Sequence, residues 1–564
     1  MPASKILKIA PPNLNLQNIF SEKLKVSRIV AQILINRGID NIEDAEKFLD
    51  TKLQDLLDPR LFSDIDKAVE LVKKAVRNKK KIMVFGDYDV DGITSLVLMK
   101  NTLDEIGASV ITYLPHRIKE GYGLNKNILH LVRHKKADVL ITVDCGTNSL
   151  SQIQELRQHN IEVIVTDHHE PLDNEVALCA SAIINPKIKT CGYKYRDLAG
   201  VGVAYKFCQA IRNENLFDDL DLVALGTVSD VVPLTGENRI MVKEGLSRIA
   251  STSRIGLRAL IENSGIKNKE IKPSFISFIL GPRINASGRM DTAEIAFKLL
   301  ISEEEQEAQE LARLMETHNR TRQKIETKIM EEAEALINKQ VNFKKHKVIV
   351  VAGEDWHQGV LGIVASKLAD RFYRPTIVIS KKGDLCKGSG RSIKSFHLFN
   401  SLLECQELLD TFGGHSHAAG LIIRRSNIES FKNKINDLAR EKMLFEDLVP
   451  TLDIDMELAL SDLSASLVME LEKMEPFGEG NPKPLFYTKG LKLKGQPQTL
   501  SRDTLKFWVS DGNTTYPAIG FGMGSFKDSL IAADSFDLVY TPGIDNWQGN
   551  SSMILEIRDI FFRV

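Results

Sequence analysis

The chain is poor in cysteine. Its 564 residues include six, at positions 145, 179, 191, 208, 386 and 405. None of them forms a CxxC pair, and the number is small for this length. The spacing therefore favours reduced thiols in a cytosolic protein over a thiolate zinc site or a framework of disulfide bonds.

Long hydrophobic runs are also missing. The first residues, MPASKILKIAPPNLNLQ, lack an apolar core of the length found in signal peptides. No run of about 18 apolar residues occurs elsewhere, which is the length that a membrane-spanning helix needs. We expect no membrane span and a cytoplasmic location.

Positive charge is not in excess, because 74 Lys and Arg residues stand against 75 Asp and Glu residues, for a net charge of −1. A nucleic-acid-binding surface would therefore have to be a local patch. The hydrophobic share of 43% is ordinary for a globular protein. The length exceeds one hydrophobic core, so we expect about three or four domains.

From about residue 65, short apolar runs alternate with helical patterns. The runs are KIMVF, SVITYLP, ADVLITVDCG and IEVIVTDHH. This alternation predicts βαβ units and a parallel sheet that is buried on both faces. Ligands of such sheets bind at the carboxyl ends of the strands, which is where the acidic motifs of this sequence fall.

The rest of the chain shows three further patterns. Residues 301–340 lack Gly and Pro and predict a long charged helix that serves as a connector. A second α/β segment follows, with Gly/Ser-rich loops expected at 388–392 and 413–420. From about 450, short alternating runs predict a small β-barrel with a hairpin turn at Asp511-Gly512.

The motif GDYDVDG places Asp87, Asp89 and Asp91 at alternating positions after an apolar run. In an extended chain these three side chains would point to one side, where they repel one another unless a cation neutralises them. An acidic surface loop is the alternative. A calcium loop would carry a glutamate where this sequence has Leu98.

Three more motifs supply carboxylate or imidazole groups. Asp144 follows one predicted strand, and the triplet Asp167-His168-His169 follows the next. Asp230 interrupts an apolar stretch, where an acid is costly to bury unless it is paired or binds a metal. Oxygen and imidazole ligands suit Mn²⁺ or Mg²⁺, and two such ions can activate water for phosphodiester hydrolysis.

With these motifs the sequence resembles the DHH phosphoesterase superfamily, which is named for the triplet at 167–169, and within it the RecJ family. The other similar segments are LPHRIKEGYGL, VDCG, AGVGVA, LGTVSDVVPL, GPRINASGR, WHQGVLGIVASKL, GSGRS, GGHSHAAG and PFGEGNPKPLF. The resemblance covers roughly residues 50–564.

The resemblance implies an α/β fold in which a parallel-sheet DHH domain and a DHH-associated α/β domain are joined by a long helix, with a C-terminal β-barrel of the OB-fold type. The implied boundaries are an N-terminal appendage at 1–50, the DHH domain at 51–260, the helical connector at 261–340, the DHH-associated domain at 341–445 and the OB-fold domain at 450–564.

The implied activity is 5′→3′ exonucleolytic hydrolysis of single-stranded DNA to 5′ mononucleotides, with water activated by two Mn²⁺ or Mg²⁺ ions, in DNA recombination and repair. The implied partners are a single-strand-binding protein and a helicase, and the implied state is a monomer. The implied metal ligands are Asp89, Asp91, Asp144, His168 and Asp230. Asp87 would stand beside them, and His169 would contact the scissile phosphate or orient a ligand.

Substrate contacts are expected from several polar loops. Arg117 could grip a phosphate bidentately or form an ordinary surface salt bridge. The resemblance implies a pocket for the 5′ phosphate made by Arg117, Ser389, Arg391 and one of Arg283 and Arg289. The remaining candidates come from the residues themselves. Tyr122 could stack on a base or pack against its own domain, and His357 and His415 could reach the substrate from the second domain or have a structural role.

Two other functions stay open from the residues alone. One is a pyrophosphatase or a phosphodiesterase for short oligoribonucleotides or cyclic dinucleotides, and the other is a non-catalytic binding scaffold. The additional C-terminal module and the GPRINASGR and PFGEGNP segments argue against the first. The filled ligand positions argue against the second.

Overall fold

The structure is a computed structural model that describes residues 5–172, 179–547 and 550–563. The chain forms two compact units. The first unit contains Leu57–Asp230 and Glu244–Pro450, and the second contains Lys5–Leu56, Val231–Lys243 and Thr451–Val564. Within the described ranges, no helix combines the length and the apolar composition that crossing a bilayer requires.

Over the described ranges, the strands fall into four sheets. In chain order they are β1 (Ile6–Ile9), β2 (Lys81–Gly86), β3 (Ser109–Tyr113), β4 (Val139–Val143), β5 (Glu162–Thr166), β6 (Ala182–Ile184), β7 (Ile349–Glu354), β8 (Thr376–Lys381), β9 (Leu385–Arg391), β10 (Leu409–Gly414), β11 (Ala418–Arg424), β12 (Thr451–Ile454), β13 (Met456–Glu457), β14 (Phe486–Leu500), β15 (Thr504–Ser510), β16 (Thr515–Gly520), β17 (Ser535–Trp547) and β18 (Asn550–Arg563).

Helices occur in both units. The α-helices longer than one turn are α1 (Leu14–Leu24), α2 (Arg28–Asn36), α3 (Ile42–Leu49), α4 (Ile65–Arg77), α5 (Val90–Glu105), α6 (Ile128–Lys135), α7 (Leu150–Gln158), α8 (Gly200–Arg212), α9 (Leu220–Asp230), α10 (Gly236–Ala250), α11 (Ile255–Asn263), α12 (Gly281–Met290), α13 (Glu294–Ile301), α14 (Glu305–Gln340), α15 (Leu361–Phe372), α16 (Leu398–Leu403), α17 (Ile428–Lys442), α18 (Ala465–Glu472) and α19 (Lys527–Ala532).

The predicted parallel sheet is confirmed. Its strand order is β3-β2-β4-β5-β6, and every neighbouring pair is parallel. The register pairs Gly86 with Val143, and Val143 with Thr166. The last residues of three adjacent strands are therefore level with one another. The residues that directly follow these strands lie side by side at the carboxyl edge of the sheet.

The second sheet has the order β10-β11-β9-β8-β7, and among these strands only β7 and β8 run parallel. The loops expected at 388–392 and 413–420 are wrong, because β9, β10 and β11 occupy most of both segments. The glycines serve close packing. A Cβ on Gly388 would lie 2.8 Å from a Leu421 methyl group, and one on Gly390 would lie 2.8 Å from a Leu398 methyl group.

The long helix predicted at 301–340 is confirmed as α14. It buries one stripe along its length, and the apolar members of this stripe are Ala308, Ala312, Met315, Ile329, Ala333 and Ile337. Such spacing is typical of a helix that packs by one face.

The expectation that GPRINASGR is an irregular segment is wrong, since it forms helix α12. Proline is tolerated in the first turn of a helix, and a Cβ on Gly281 would lie 2.9 Å from Ser229 Oγ. Sequence patterns alone misjudged this segment because that contact involves a residue far away in the chain.

The second unit contains the expected barrel. Strands β14-β15-β16-β18-β17 form a series, and β17 also pairs with β14, which closes the barrel. The hairpin turn at Asp511-Gly512 is confirmed, because β15 and β16 pair antiparallel up to Ser510 and Thr515. Side chains from α1–α3 share the hydrophobic core of the barrel, so residues 5–56 are packed into this unit.

A buried arginine connects three segments of the second unit. The Arg239 guanidinium donates to the carbonyl oxygens of Phe48 (3.0 Å), Met474 (2.9 Å) and Glu475 (2.9 Å), and it lies 4.0 Å from the centroid of the Phe48 ring. Burial lowers the pKa of Arg239 to about 10. Its full set of acceptors compensates the cost of removing the guanidinium from water.

Candidate metal and phosphate site

The carboxyl edge of the parallel sheet carries an acidic cluster. Asp87, Asp144 and Asp167 directly follow the level ends of β2, β4 and β5. Asp144 has a φ of 61°, in the left-handed region that few residues other than glycine adopt. The edge therefore presents three carboxylates from adjacent strands.

The extended geometry expected for Asp87, Asp89 and Asp91 is wrong. Asp89 caps α5 by accepting a hydrogen bond from the Gly92 N–H at 3.1 Å, and Asp91 lies in the first turn of that helix. The three carboxylates approach one another because the chain turns sharply. A Cβ at Gly92 would lie 2.5 Å from the Asp87 carbonyl oxygen, so this turn requires glycine.

His168 stands in the middle of the cluster. Its Nε2 lies 3.2 Å from Asp144 Oδ1, 3.5 Å from Asp230 Oδ2 and 3.9 Å from Asp91 Oδ2. Among the residues that the structure describes, possible ligand atoms within 4.8 Å of one another form three groups, which are Asp91/His168/Asp230, Asp144/His168/His169 and Asp87/Asp89/Asp144. Asp144 belongs to two of these groups, as a residue shared by two ions would.

Polar atoms of this cluster fit a divalent cation. Asp87 Oδ1, Asp144 Oδ1, Asp230 Oδ2 and His168 Nε2 are buried and have no hydrogen-bond partner among the residues that the structure describes. Buried polar atoms are almost always satisfied, and hard oxygen ligands with one imidazole suit Mn²⁺ or Mg²⁺. The cluster thus has the ligand atoms that a divalent metal prefers, and a bound metal would satisfy the polar atoms that lack a hydrogen-bond partner.

The pKa shifts also indicate that negative charge is crowded in this cluster. Burial, and then the neighbouring carboxylates, raise the pKa values of Asp87, Asp144 and Asp230 well above their ordinary range. Burial also lowers the pKa of His168 to about 3, which keeps the imidazole neutral and able to coordinate. Cations at this position would reverse the penalty on the carboxylates.

Asp91 is held by a helix N-terminus. The backbone N–H of Gly200 donates to Asp91 Oδ2 and that of Val201 donates to Asp91 Oδ1, both at 2.7 Å, from the first turn of α8. Burial and Asp89 raise the pKa of Asp91 to about 7, although these two hydrogen bonds oppose the shift. A Cβ at Gly200 would lie 2.6 Å from Asp144 Oδ1. The AGVGVA motif was visible in the sequence, but its hydrogen bonds to Asp91 and its close approach to Asp144 were not.

Asp167 and His169 form a second layer beside the cluster. Asp167 Oδ1 accepts hydrogen bonds from the His168 N–H (2.7 Å) and from His169 Nδ1 (2.8 Å), and its Oδ2 accepts one from the Thr147 N–H (2.9 Å). Burial alone would raise the pKa of Asp167 and lower that of His169. Their mutual attraction shifts both in the opposite direction, which favours an Asp⁻–HisH⁺ pair. Tyr122 places its hydroxyl 3.1 Å from His169 Nδ1 and is 51% exposed.

Two polar residues after β6 were missed from the sequence. Asn185 donates to Thr147 Oγ1 (2.8 Å) and to the His169 carbonyl oxygen (2.9 Å), so it supports the histidine pair. Lys187 is close enough for its charge to lower the pKa values of Asp230 and His415. The available signal was NPK at the end of a further short apolar run.

A basic cluster, formed by Arg117, Arg289 and Arg391, lies in the same unit. Arg117 stacks on Tyr88, with its guanidinium carbon 4.6 Å from the ring centroid. Burial and the charges of Arg117, Arg322 and Arg391 lower the pKa of Arg289 to about 9. Among the described residues no carboxylate pairs with Arg117, Arg289 or Arg391, so their charges are available to an anion.

Ser389 and Arg391 face the N-terminal turn of α15. A Cβ at Gly362 would lie 3.1 Å from Ser389 Oγ and 3.2 Å from Arg391 Nη2. A helix N-terminus together with a hydroxyl and a guanidinium is an arrangement that binds phosphate. The sequence indicated Ser389 and Arg391 but not the helix N-terminus.

The two arginines of GPRINASGR have different surroundings. Arg283 donates from Nε to Glu316 Oε2 and from Nη1 to the Ile279 carbonyl oxygen, both at 2.8 Å. Arg289 donates to the Gly359 carbonyl oxygen at 2.9 Å and lies among the other arginines. Only Arg289 is placed with the basic cluster.

The two histidines expected from the second domain also differ. His357 Nδ1 accepts a hydrogen bond from the Gly359 N–H at 3.2 Å and is half-buried, in the turn that Arg289 contacts. His415 is exposed on the β10–β11 hairpin. Burial lowers its pKa, as do the charges of His169 and Lys187. His415 therefore lies within electrostatic reach of His169 and Lys187.

Three family models match successive parts of the chain. They are described as the DHH family N-terminal domain (residues 81–227), the DHHA1 domain (345–441) and the RecJ OB domain (454–559). The fold and the acidic site accordingly define a protein of the DHH class.

Relatives that match almost the whole chain show which family of the DHH class it belongs to. The chain is 36% identical to the single-stranded-DNA-specific exonuclease RecJ of Bacillus subtilis, over 99% of this chain and 71% of that protein. It is 33% identical to the Escherichia coli protein of the same name, over 94% of this chain and 96% of that one. A crystal structure of RecJ with Mn²⁺ from Thermus thermophilus matches with a TM-score of 0.84 at 28% identity, over 99% of this chain and 80% of that one. The chain belongs to the RecJ family of exonucleases.

Proposed function

We propose that this protein is a metal-dependent exonuclease that degrades single-stranded DNA in the 5′→3′ direction and releases 5′ mononucleotides. The observation that carries the proposal is the presence of two complementary clusters in one unit. Buried acidic atoms without hydrogen-bond partners lie at the sheet edge, and arginines without carboxylate partners lie nearby. Relatives named as single-stranded-DNA-specific exonucleases support the choice of substrate.

Two ions, Mn²⁺ or Mg²⁺, would be held by the acidic cluster. Asp91, His168 and Asp230 would hold one, and Asp87, Asp89 and Asp144 the other, with Asp144 available to both. When bound, such ions lower the pKa of a water molecule and offset the negative charge on the phosphate. Crystal structures of Thermus thermophilus RecJ in complex with Mn²⁺ and with Mg²⁺ support either metal.

The surrounding residues would orient the ligands and the scissile phosphate. The α8 N-terminus fixes both oxygens of Asp91, which leaves the carboxylate one orientation. Asp167 holds His169 in its cationic form, from which it can donate to a phosphate oxygen. Lys187 would add a second positive charge beside Asp230.

End recognition would belong to the basic cluster. A terminal phosphate between Arg391, Ser389 and the α15 N-terminus would also be reached by Arg117 and Arg289, whereas Arg283 would not contribute. The 5′→3′ direction of degradation follows, because the 5′ end is held in this pocket while the next phosphodiester lies at the carboxylates. Tyr122, His357 and His415 would complete the contacts to the first nucleotides.

The barrel of the second unit would also bind single-stranded DNA. Trp508 is 48% exposed and pairs across the ladder with Lys494, and Lys492 and Lys506 lie on the same face. An exposed indole among lysines can stack on a base and contact the backbone. We further propose that the protein acts as a monomer in the cytoplasm, in DNA recombination and repair, with a helicase and a single-strand-binding protein. Membership of the RecJ family supports this role.

Digestion of end-labelled DNA tests the proposal. With Mn²⁺, a 5′-labelled and 5′-phosphorylated single strand should yield labelled mononucleotide as its first product, while a blunt duplex of the same sequence should persist. Preference for two- to five-nucleotide RNA would favour a small-oligonucleotide phosphodiesterase instead. No cleavage with any divalent metal would refute a nuclease function.

A further inference from the structure

Phe278 is unusual because it is an aromatic residue that lies almost entirely in solvent. It is 79% exposed, more than any other aromatic side chain among the residues that the structure describes, including Phe521 at 63% and Phe445 at 59%. A large apolar group held in water commonly marks a binding surface.

The backbone around Phe278 is ordered. Residues Ile276–Leu280 form one π-helical turn immediately before α12. Ile276 and Leu280 are fully buried, so Phe278, midway between them, points outward. Arg283 donates to the Ile279 carbonyl oxygen and to Glu316 of α14, which fastens the turn to the long helix. Single π-helical turns of this kind are frequent at functional sites.

Helix α12 runs from the π-helical turn along the acidic cluster. At its start, a Cβ on Gly281 would lie 2.9 Å from Oγ of Ser229, the residue before Asp230. Near its end, a Cβ on Gly288 would lie 3.4 Å from the carbonyl oxygen of Tyr88, between Asp87 and Asp89. Arg289 of the basic cluster stands at this second end. Phe278 and Arg289 are therefore separated by about 17 Å along the helix axis, at about 1.5 Å per residue.

A strand with its 5′ phosphate beside Arg289 and its first phosphodiester at the carboxylates would continue toward the start of α12. We propose that the Phe278 ring is a stacking platform for a base on the 3′ side of the cleaved bond, about three to five nucleotides from the 5′ end at about 3.4 Å per stacked nucleotide. The inference rests on the proposed exonuclease function. Every base offers a π face, so the platform binds any sequence, but in a duplex those faces are already stacked.

Steady-state kinetics on a 5′-phosphorylated 12-nucleotide single strand test this role, with Phe278→Ala compared with Phe278→Trp. The alanine variant should raise KM by about 5-fold or more, since base–aromatic stacking is worth that much, and should change kcat by less than about twofold. The tryptophan variant should keep the KM of the unmodified protein. Phe445→Ala is the matched control, because Phe445 is an exposed phenylalanine near Lys347, outside the two clusters.

Substrates with a single abasic site show whether the ring contacts a base. As the abasic site is moved through positions two to eight, the unmodified protein should show a raised KM at one position, and Phe278→Ala should lose that dependence. Equal KM values for Phe278→Ala and Phe445→Ala, or an unchanged abasic profile, would overturn the inference, as would a defect limited to binding of a protein partner. If the unmodified protein does not digest single strands, the proposed function itself fails, and the inference fails with it.

Discussion

The acidic cluster and the basic cluster of the first unit are built in opposite ways. The acidic side chains come mainly from the ends of adjacent parallel strands, whose register brings them to one edge of the sheet. The basic cluster draws Arg117, Arg289 and Arg391 from three distant segments, and the helix N-terminus at Gly362 comes from a fourth. The comparison indicates that the sheet topology positions the acidic side chains, while tertiary packing brings together the arginines that would bind the 5′ end.

The largest expected effect belongs to Asp144, which lies in two of the three ligand groups. Asp144→Asn should lower the rate of cleavage by about 10³-fold or more for every kind of 5′ end, because a ligand common to both ions is weakened. Single-turnover digestion with Mn²⁺ measures the rate. Asp104→Asn, at the exposed far end of α5, should leave the rate unchanged, and a retained rate in Asp144→Asn would remove that residue from the metal site.

The second effect separates the two arginines of α12 and tests the basic cluster. Arg391→Ala and Arg289→Ala should each reduce the preference for 5′-phosphate over 5′-hydroxyl ends by about 10- to 100-fold, the loss expected for a charged hydrogen bond. The measurement is the ratio of kcat/KM on the two substrates.

Arg283→Ala is the internal control, since its guanidinium is already engaged by Glu316 and the Ile279 carbonyl oxygen. It should preserve the 5′-phosphate preference even if overall binding weakens. If Arg283→Ala lost the preference and Arg289→Ala kept it, the assignment of the 5′-phosphate pocket would be reversed.

A smaller effect is expected where the fold supports the acidic cluster. Gly200→Ala would place a methyl group 2.6 Å from Asp144 Oδ1 and would shift the N–H groups that hold Asp91. Affinity for Mn²⁺, measured by calorimetry, should fall by about 10- to 100-fold, as for other residues that orient ligands. Gly543→Ala has open space for its methyl group and should not change the affinity. An unaltered affinity in Gly200→Ala would show that α8 does not position the ligands.

The smallest effect is a dependence of thermal stability on pH and metal. Burial raises the pKa of Asp91 from 3.8 to about 7, and those of Asp87, Asp144 and Asp230 are raised as well. Without metal the folded state therefore binds more protons than the unfolded state, and stability falls as pH rises from about 4 to 7.

Bound Mn²⁺ removes this penalty, so it should raise Tm more at pH 8 than at pH 5.5, where protons compete for the same oxygens. Differential scanning calorimetry with Mn²⁺ or EDTA measures the two shifts. Asp144→Asn should show little shift at either pH. A larger shift at pH 5.5 than at pH 8 would mean that the metal binds elsewhere.

The two clusters also differ in how far they could be predicted. Asp144 and the triplet at 167–169 follow buried apolar runs, and strands of that kind predict a shared edge. Arg283 and Arg289, by contrast, stand six residues apart in similar local sequence. Contacts far along the chain distinguish them, namely Glu316 on α14 for Arg283 and Gly359 for Arg289. Such long-range contacts leave no periodic signal in a single sequence.

Glycine was the residue most often misinterpreted. In GSGRS and GPRINASGR it suggested loops, but Gly390 and Gly281 lie within a strand and a helix, where an added Cβ would lie less than 3 Å from a neighbouring side chain. The same physical cause explains Gly200 and Gly362, which bring backbone close to a carboxylate and to a guanidinium. A glycine indicates close approach as often as it indicates a turn, and the sequence does not distinguish the two.

The most direct test of the two-cluster account is a crystal structure with Mn²⁺ and a 5′-phosphorylated oligonucleotide carrying a phosphorothioate at the first linkage. Anomalous scattering at the manganese edge should show two ions about 3.5–4 Å apart, one beside Asp91, His168 and Asp230 and the other beside Asp87, Asp89 and Asp144. The 5′ phosphate should lie against Ser389, Arg391 and the α15 N-terminus. Manganese bound away from those carboxylates, or a 5′ phosphate that does not contact Arg391, would contradict the account.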